Sequence, residues 1–374
     1  MKILILGGGL QALSVSSSLR KKDNFIAVVS DDLMVTHSRF FDKVYNQASC
    51  CDSSVLDILK RDHYDVLFPM GDKPAVYLSQ NKESIESTYG VKCAVPDYSE
   101  VSIVENKSHF MDFCEKHGFP HPKTLALKTD LLDSCVNDFV FPALIKPDVS
   151  VGSRGITRVN NVAELKAALP NLVNQYGSCS LQEYIDNDEY YYNVMIYRDR
   201  SGECKNHTII KILRHYPIAA GSSSCCVSVE NQELFELCKN VLDKLNWVGM
   251  ADFDVLQRLD NGEYKIIEIN PRVPASLRAA SISGVNFAEC VVNDACGGNV
   301  EQYDYKPGKT LRYLGIDILW FLKSSKRFCS KPSWFHLFGK NIYYMDIYWN
   351  DVSTWFTWLW EGLLKFFKSR LVHG

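Results

Sequence analysis

The sequence has no Cys-x-x-Cys pair and no histidine at zinc-finger spacing, which excludes a structural zinc site. It has no long run of lysine and arginine, and its formal net charge is only −3, so nucleic-acid binding is not expected. There is no Gly-x-Ser-x-Gly motif and no evident Cys–His pair, so nothing calls for a covalent side-chain nucleophile. No charged segment followed by an apolar one precedes the first strand, so a cytoplasmic location is expected rather than export. No internal repeat is present. The densest apolar stretch, residues 351–372, is broken by charges and too short to span a bilayer.

What is present is ample. The 374 residues are 46% hydrophobic, enough for two or three packed domains. Charged residues make up 23%, an ordinary share for a globular chain. The 13 cysteines are odd in number and include two vicinal pairs, Cys50-Cys51 and Cys225-Cys226, which reads as buried reduced thiols rather than a disulfide framework.

Strands alternate with helices from the start. Residues 2–6, Phe25–Val29 and Asp65–Pro69 read as strands, with helices at Leu10–Lys21 and Val55–Arg61. A short strand over Val91–Val95 is also expected. The alternation predicts a parallel, doubly wound sheet ending near Tyr98. Beyond it the pattern changes to α+β. Residues 106–118 and 161–175 read as helices, and "FPALIKP" and "LQEYID" as strands. Tyr190–Arg198 and His207–Leu213 read as antiparallel strands and Gln232–Leu245 as a helix. Residues 251–272 form a hairpin turned at Asn261-Gly262. Ala275–Ser283 and Phe287–Cys296 read as helices. The expected units are residues 1–98, 99–305 with a lid at about 123–186, and a C-terminal extension at 306–374.

Gly7-Gly8-Gly9, with Ala12, fits Gly-x-Gly-x-x-Ala between a strand and a helix. Asp31 and Asp32 lie about 20 residues on, where a ribose-binding acid sits in dinucleotide folds. Taken alone, the turn suits a pyrophosphate. It equally suits a tight turn with close packing of helix on strand.

A second constellation lies in "KIIEINPR". Ile266, Ile267 and Ile269 mark a buried strand, yet Glu268 and Asn270 share one of its faces. Asp254 sits on the preceding strand of the hairpin. Three oxygen-bearing side chains at one end of a sheet suit magnesium, or manganese, bridging nucleotide phosphates. Arg272 follows Pro271 and offers a planar donor fork to developing phosphate charge. Arg278 is a candidate for a substrate carboxylate. Upstream, Lys146 ends an apolar strand and precedes a loop, 150–155, containing Ser153, Arg154 and Gly155, with the composition of a phosphate-covering lid. Glu183, Tyr184 and Ile185 form an extended edge suited to an adenine, and Glu189 suits ribose hydroxyls. Arg214, with Gly221–Ser224, is placed by position alone at an acceptor pocket.

In these residues the chain resembles the ATP-grasp superfamily, nearest its carbamoyl-phosphate-synthase-like and D-aspartate-ligase-like members. The resemblance spans roughly residues 1–300. It rests on Lys107 in "ENKSHF", "ALIKPDVSVGSRG", "LQEYID" with Glu189, "GMADFDV" and "EINPR". It implies a Rossmann-like N-terminal domain, a lid and a larger domain, with ATP between two antiparallel sheets. Lys107 and Lys146 would contact phosphate or adenine, Glu183 and the Ile185 backbone would read the adenine, and Asp254, Glu268 and Asn270 would hold magnesium. Gly8 and Gly9 would help bind the acid substrate without NAD. A single ATP-grasp copy departs from full carbamoyl-phosphate synthase, which has two.

The expected activity is ligation. A carboxylate attacks the γ-phosphate of ATP, and an amine displaces phosphate from the acyl phosphate. Small-molecule acid and amine are the expected partners. Two other readings stand beside it: an NAD(P)-dependent oxidoreductase using Gly7–Gly9 and Asp31, and a non-catalytic nucleotide-binding protein docked to membrane. The aromatic helix expected over 351–372 suits packing on its own domain, a homodimer face, or peripheral membrane contact.

Overall fold

The structure is a computed structural model that describes residues 1–20, 22–127, 136, 139–150, 154–218 and 221–357. Three sheets organise it. The first contains β1 (Lys2–Leu6), β2 (Phe25–Val29), β3 (Lys43–Tyr45), β4 (Val66–Pro69) and β5 (Lys92–Cys93), all parallel, in the order β3-β2-β1-β4-β5. Four of the five β1 residues are fully buried, as an unalternating apolar run covered on both faces requires. The strand expected over Val91–Val95 contracts to two residues, because Val95 and Pro96 turn away to give carbonyls to Lys82 and Ser79.

The second sheet contains β6 (Thr124–Leu127), β7 (Ala143–Pro147), β8 (Thr157–Val159) and β9 (Cys179–Glu183) in the antiparallel order β6-β9-β7-β8. The helix Val162–Tyr176 packs on it. Asn161 caps that helix by accepting from Glu164 N–H, while Glu164 accepts from Asn160 N–H, a reciprocal pair that fixes the helix start.

The third sheet contains β10 (Tyr191–Arg198), β11 (Cys204–Tyr216), β12 (Ser222–Val229), β13 (Gly249–Gln257), β14 (Tyr264–Asn270), β15 (Thr310–Arg312) and β16 (Ile342–Tyr344). Its order is β14-β13-β10-β11-β12-β15-β16, antiparallel except for β15 with β16. Both faces are covered. Met195, Ile210, Ile212 and Leu311 join the core of the first sheet's helices. Val194, Ile209, Phe253 and Ile266 pack against the helices Lys107–His117 and Gln232–Leu245.

No helix among the described residues is long and apolar enough to cross a membrane, and no disulfide forms among the described cysteines.

Candidate functional site

Period-two alternation and antiparallel register assemble the site. Asp254 pairs with Glu268 across β13–β14, Asp252 with Asn270, and Asn193 of β10 with Asp254. These side chains therefore share one face of the third sheet. Asn193 Nδ2 donates to Asp254 Oδ1. Burial pushes Asp254's carboxyl well up, reinforced by the adjoining Glu268. Burial acts the same way on Glu268, but Lys107, the Asp254 hydrogen bond, Lys146 and Arg272 outweigh it and hold Glu268 at about 2. The two adjoining carboxyls are thus driven in opposite directions, Asp254 up and Glu268 down.

Two lysines face this pair. Asn106 caps the helix Lys107–His117, accepting from His109 N–H at 3.1 Å, and so fixes Lys107 in the first turn. Lys107 Nζ donates to Ser150 O at 3.0 Å and lies 3.6 Å from Glu268 Oε2. Lys146, near the end of β7, is buried. Burial lowers its amine to about 8, although Glu268 and Asp254 pull the other way. Asp148, two residues on, accepts from Ser108 Oγ at 2.5 Å and gives its carbonyl to Lys107 N–H, joining the second sheet to the helix of Lys107.

Arg272 closes the far side. Its Nε donates to Asp72 Oδ1 at 2.8 Å and its Nη2 to Asn270 Oδ1 at 3.1 Å. Asp72 begins the helix Asp72–Tyr89, so this contact links the first sheet's layer to the third.

Asp252 was not among the residues singled out from the sequence. It is buried, and burial pushes its carboxyl up to about 7 against the pull of Arg272. Its Oδ1 has no hydrogen-bond partner among the described residues. The signal was present in "ADFDV", where the period of two puts Asp252 on the face of Asp254.

Other expected residues sit differently. Glu183 accepts from Arg258 Nη1 at 2.6 Å and from Lys123 N–H at 3.1 Å, so its carboxylate is tied back to protein. Tyr184 lies under the Arg158 guanidinium, 4.3 Å from its ring centre, and Ile185 is buried. Glu189 has φ +68°, follows Asp188 at φ +49°, and pairs with Lys326 at 3.4 Å. Arg154 is exposed. At Gly155 a side chain would meet Pro147 and Tyr176 at 2.7 Å. Ser153 lies outside the described residues.

Arg214 is not free to meet a substrate as the sequence suggested. It is buried, and its Nε and Nη2 donate to Asp317 at 2.8 and 3.1 Å. Arg278 donates to Ile347 O at 2.7 Å and lies 3.8 Å over the Tyr348 ring, so its fork faces the C-terminal segment. Both arginines precede partners that lie beyond residue 310, where the sequence offered no pattern to read.

The glycine turn is occupied by the protein itself. Gly9 N–H donates to Asp32 Oδ2 at 3.1 Å, and Asp32 Oδ1 also caps the short helix Leu33–Thr36. A side chain at Gly8 would meet Ser30 Oγ at 2.5 Å and Asp32 Cβ at 2.7 Å. The acid expected on a ribose is thus the anion at this helix start.

Among the described residues no three His, Cys, Asp or Glu side chains close into a metal cage. The donor set is instead open: two adjoining carboxylates, an amide and an unpartnered buried carboxylate oxygen, ringed by two lysines and an arginine.

The family profile of the ATP-grasp domain matches residues 104–276, the span that contains these groups. Residues 104–276 are similar in sequence to an ATP-grasp domain. The chain is 27% identical over 251 residues to D-aspartate ligase of Enterococcus faecium, covering 61% of this chain and 58% of the relative. It is 23% identical over 323 residues to the carbamoyl phosphate synthase large chain of Thermoplasma acidophilum, covering 79% of this chain and 30% of that one. This chain therefore spans about half the length of the first relative and under a third of the second. Among solved structures, the biotin carboxylase domain of Hydrogenobacter thermophilus 2-oxoglutarate carboxylase, in complex with MgADP, ADP and bicarbonate, aligns with TM-score 0.69 at 14% identity. That alignment covers 83% of this chain and 73% of the other. The N5-carboxyaminoimidazole synthetase of Staphylococcus aureus, complexed with ADP, aligns with TM-score 0.66 at 14% identity over 82% of this chain and 80% of the other. The shared fold is that of the ATP-grasp proteins.

Proposed function

We propose that this chain is an ATP-dependent carboxylate–amine ligase. The observation that carries the reading is the meeting of Lys107 and Lys146 with the Asp254–Glu268 pair, closed on the far side by Arg272. Cations on one side and paired carboxylates on the other suit a triphosphate held through a divalent ion, and poorly suit a purely structural network.

Asp254, Glu268 and Asn270 are the residues that would hold magnesium, with Asp252 Oδ1 a further oxygen beside them. When bound there, magnesium would supply positive charge against that of the transferring group. Lys107 and Lys146 approach from the opposite side as positive charges for the phosphates. Arg272, oriented by Asp72 and Asn270, presents its fork where phosphoryl charge develops. A carboxylate oxygen of the substrate attacks the γ-phosphorus and ADP leaves, giving an acyl phosphate. The amine nitrogen then attacks the acyl carbon, phosphate leaves, and the nitrogen loses a proton. On this reading the segment of Arg154 and Gly155, which follows Lys146 in the sequence, would exclude water from the acyl phosphate. The carboxylate and amine are small molecules, as the ligase names of the relatives suggest.

The test is a matrix of carboxylates and amines assayed for coupled ADP and phosphate release. The expected result is release that needs both an acid and an amine and disappears in Glu268→Gln. Full turnover in Glu268→Gln would remove the metal assignment. Stabilisation by NADH and not by ATP with magnesium would favour an oxidoreductase instead.

A further inference from the structure

The segment between Asp317 and Asp346 contains five lysines and arginines and no acid, in a chain whose net charge is −3. The two flanking aspartates are buried. On the helix Leu314–Lys323, Asp317 and Trp320 face inward, while Ile318, Leu319 and Leu322 are exposed on the other side. The exposed apolar surface continues through aromatic rings. Phe321 contacts Phe328 and Phe335, each at 5.6 Å between ring centres, and those two stack on one another at 6.4 Å. Phe328 is 75% exposed and Phe338, three residues past Phe335, is 80% exposed. A contiguous apolar surface of this kind marks an interaction site.

Charge says what it meets. Lys326 is paired with Asp188 and Glu189. Lys323, Arg327, Lys331 and Lys340 have no ion pair among the described residues. Behind this surface, two buried guanidinium groups, Arg214 and Arg312, share the single carboxylate of Asp317. They carry one positive charge in excess, and they line a hollow of about 270 Å³ together with His336 and Lys340. Their Nη1 groups donate to Pro332 O and His336 O, so both forks are satisfied within the protein and, among the described residues, Lys340 is the free cation at the hollow. Arg312 and Leu311 are successive strand residues on opposite faces, and Leu311 belongs to the core on the Met195 side. The hollow therefore lies on the other face of the sheet from Asp254 and its neighbours.

We infer that this face docks on an anionic phospholipid surface. Leu319, Leu322, Phe328 and Phe338 enter the acyl boundary, and the four lysines and arginines meet headgroups. Apolar insertion combined with a basic rim is the two-signal arrangement that holds a protein on a charged bilayer. The inference is independent of the ligase reading.

The test uses the full chain in vesicle co-sedimentation, with pure phosphatidylcholine against equal parts phosphatidylcholine and phosphatidylglycerol. Pelleting is expected only with phosphatidylglycerol and should weaken as salt rises. Phe328→Asp with Phe338→Asp should lower partition by roughly tenfold or more, and Lys340→Glu severalfold, since each adds repulsion at the headgroups. Circular dichroism and ATP-dependent turnover should be unchanged in these surface variants. Absence of pelleting overturns the inference. So does equal pelleting of the variants, which would put lipid contact elsewhere in the chain. A wild-type dimer that Phe338→Asp splits, without vesicle binding, would make the face a contact between two copies. Binding of inorganic phosphate alone, lost in Lys340→Glu, would make the basic rim a site for a free anion and overturn the lipid assignment.

Discussion

Arg272 and Asp72 stand two hundred residues apart in the chain and 2.8 Å apart in space. The pair fixes the guanidinium fork that follows β14 against the helix that follows β4. If Arg272 steadies a transferring phosphate, Asp72 is the residue that positions it. Arg272→Ala is expected to lower kcat by about 100-fold or more, the scale of losing one transition-state donor. Asp72→Asn should cost roughly tenfold in kcat with little change in KM for ATP, because orientation is weakened and the fork remains. Steady-state kinetics on both variants checks this. A larger loss in Asp72→Asn than in Arg272→Ala would reverse the roles.

The Lys146 amine, lowered to about 8 by burial, gives a pH dependence. In the free protein it loses its proton as pH rises through about 8, and its charge is then missing for phosphate. Thus kcat/KM for ATP should fall above that pH, since this ratio reports the unliganded protein. Lys146→Arg should carry the plateau to higher pH, as guanidinium does not titrate there. Stability runs the opposite way. A buried amine with a depressed folded pKa penalises the folded state at low pH, and the penalty fades between about 8 and 10.5. A flat kcat/KM profile through this range would exclude Lys146 from phosphate contact.

Gly8→Ala tests what the glycine turn is for. Its new methyl would press on Ser30 Oγ and Asp32 Cβ. A loss of about 1–3 kcal/mol is expected, as for overpacking a tight contact, read by denaturant unfolding. NADH should stabilise neither form.

Removing Asp317 strands two guanidinium groups in the interior. Asp317→Asn is expected to cost about 3–5 kcal/mol, the usual penalty for breaking a buried ion pair on one side. Replacing Arg214 by Met leaves Arg312 paired with Asp317 and should cost less. Thermal unfolding of the two variants orders them.

Periodicity made much of the molecule legible before any coordinates. The alternation in "KIIEINPR" puts Glu268 and Asn270 on one face, and Asn261-Gly262 sets the hairpin that brings Asp254 opposite Glu268. The helix Gln232–Leu245 has the bounds its pattern gave, because Asn231 caps it and Asn246, at φ +54°, stops it. Long-range partnerships were not legible. Nothing local in "ILRHY" announces that Arg214 belongs to Asp317, and nothing in "SLRAA" ties Arg278 to Ile347 and Tyr348. Such pairings depend on which strands become neighbours, and β15 and β16 are too short to declare themselves by alternation. Asp252 was missed for another reason. A buried acid next to a recognised one has the same spacing, and only its unpartnered oxygen marks it out.

Asp32, folded back onto Gly9, has a consequence for the N-terminal layer as a whole. A helix start that carries its own carboxylate repels a second anion, so the most phosphate-like turn in the chain is closed to phosphates by one native side chain. The dinucleotide-shaped scaffold is a self-latched wall, and on the proposed function the nucleotide would be gripped in the cleft some two hundred residues downstream.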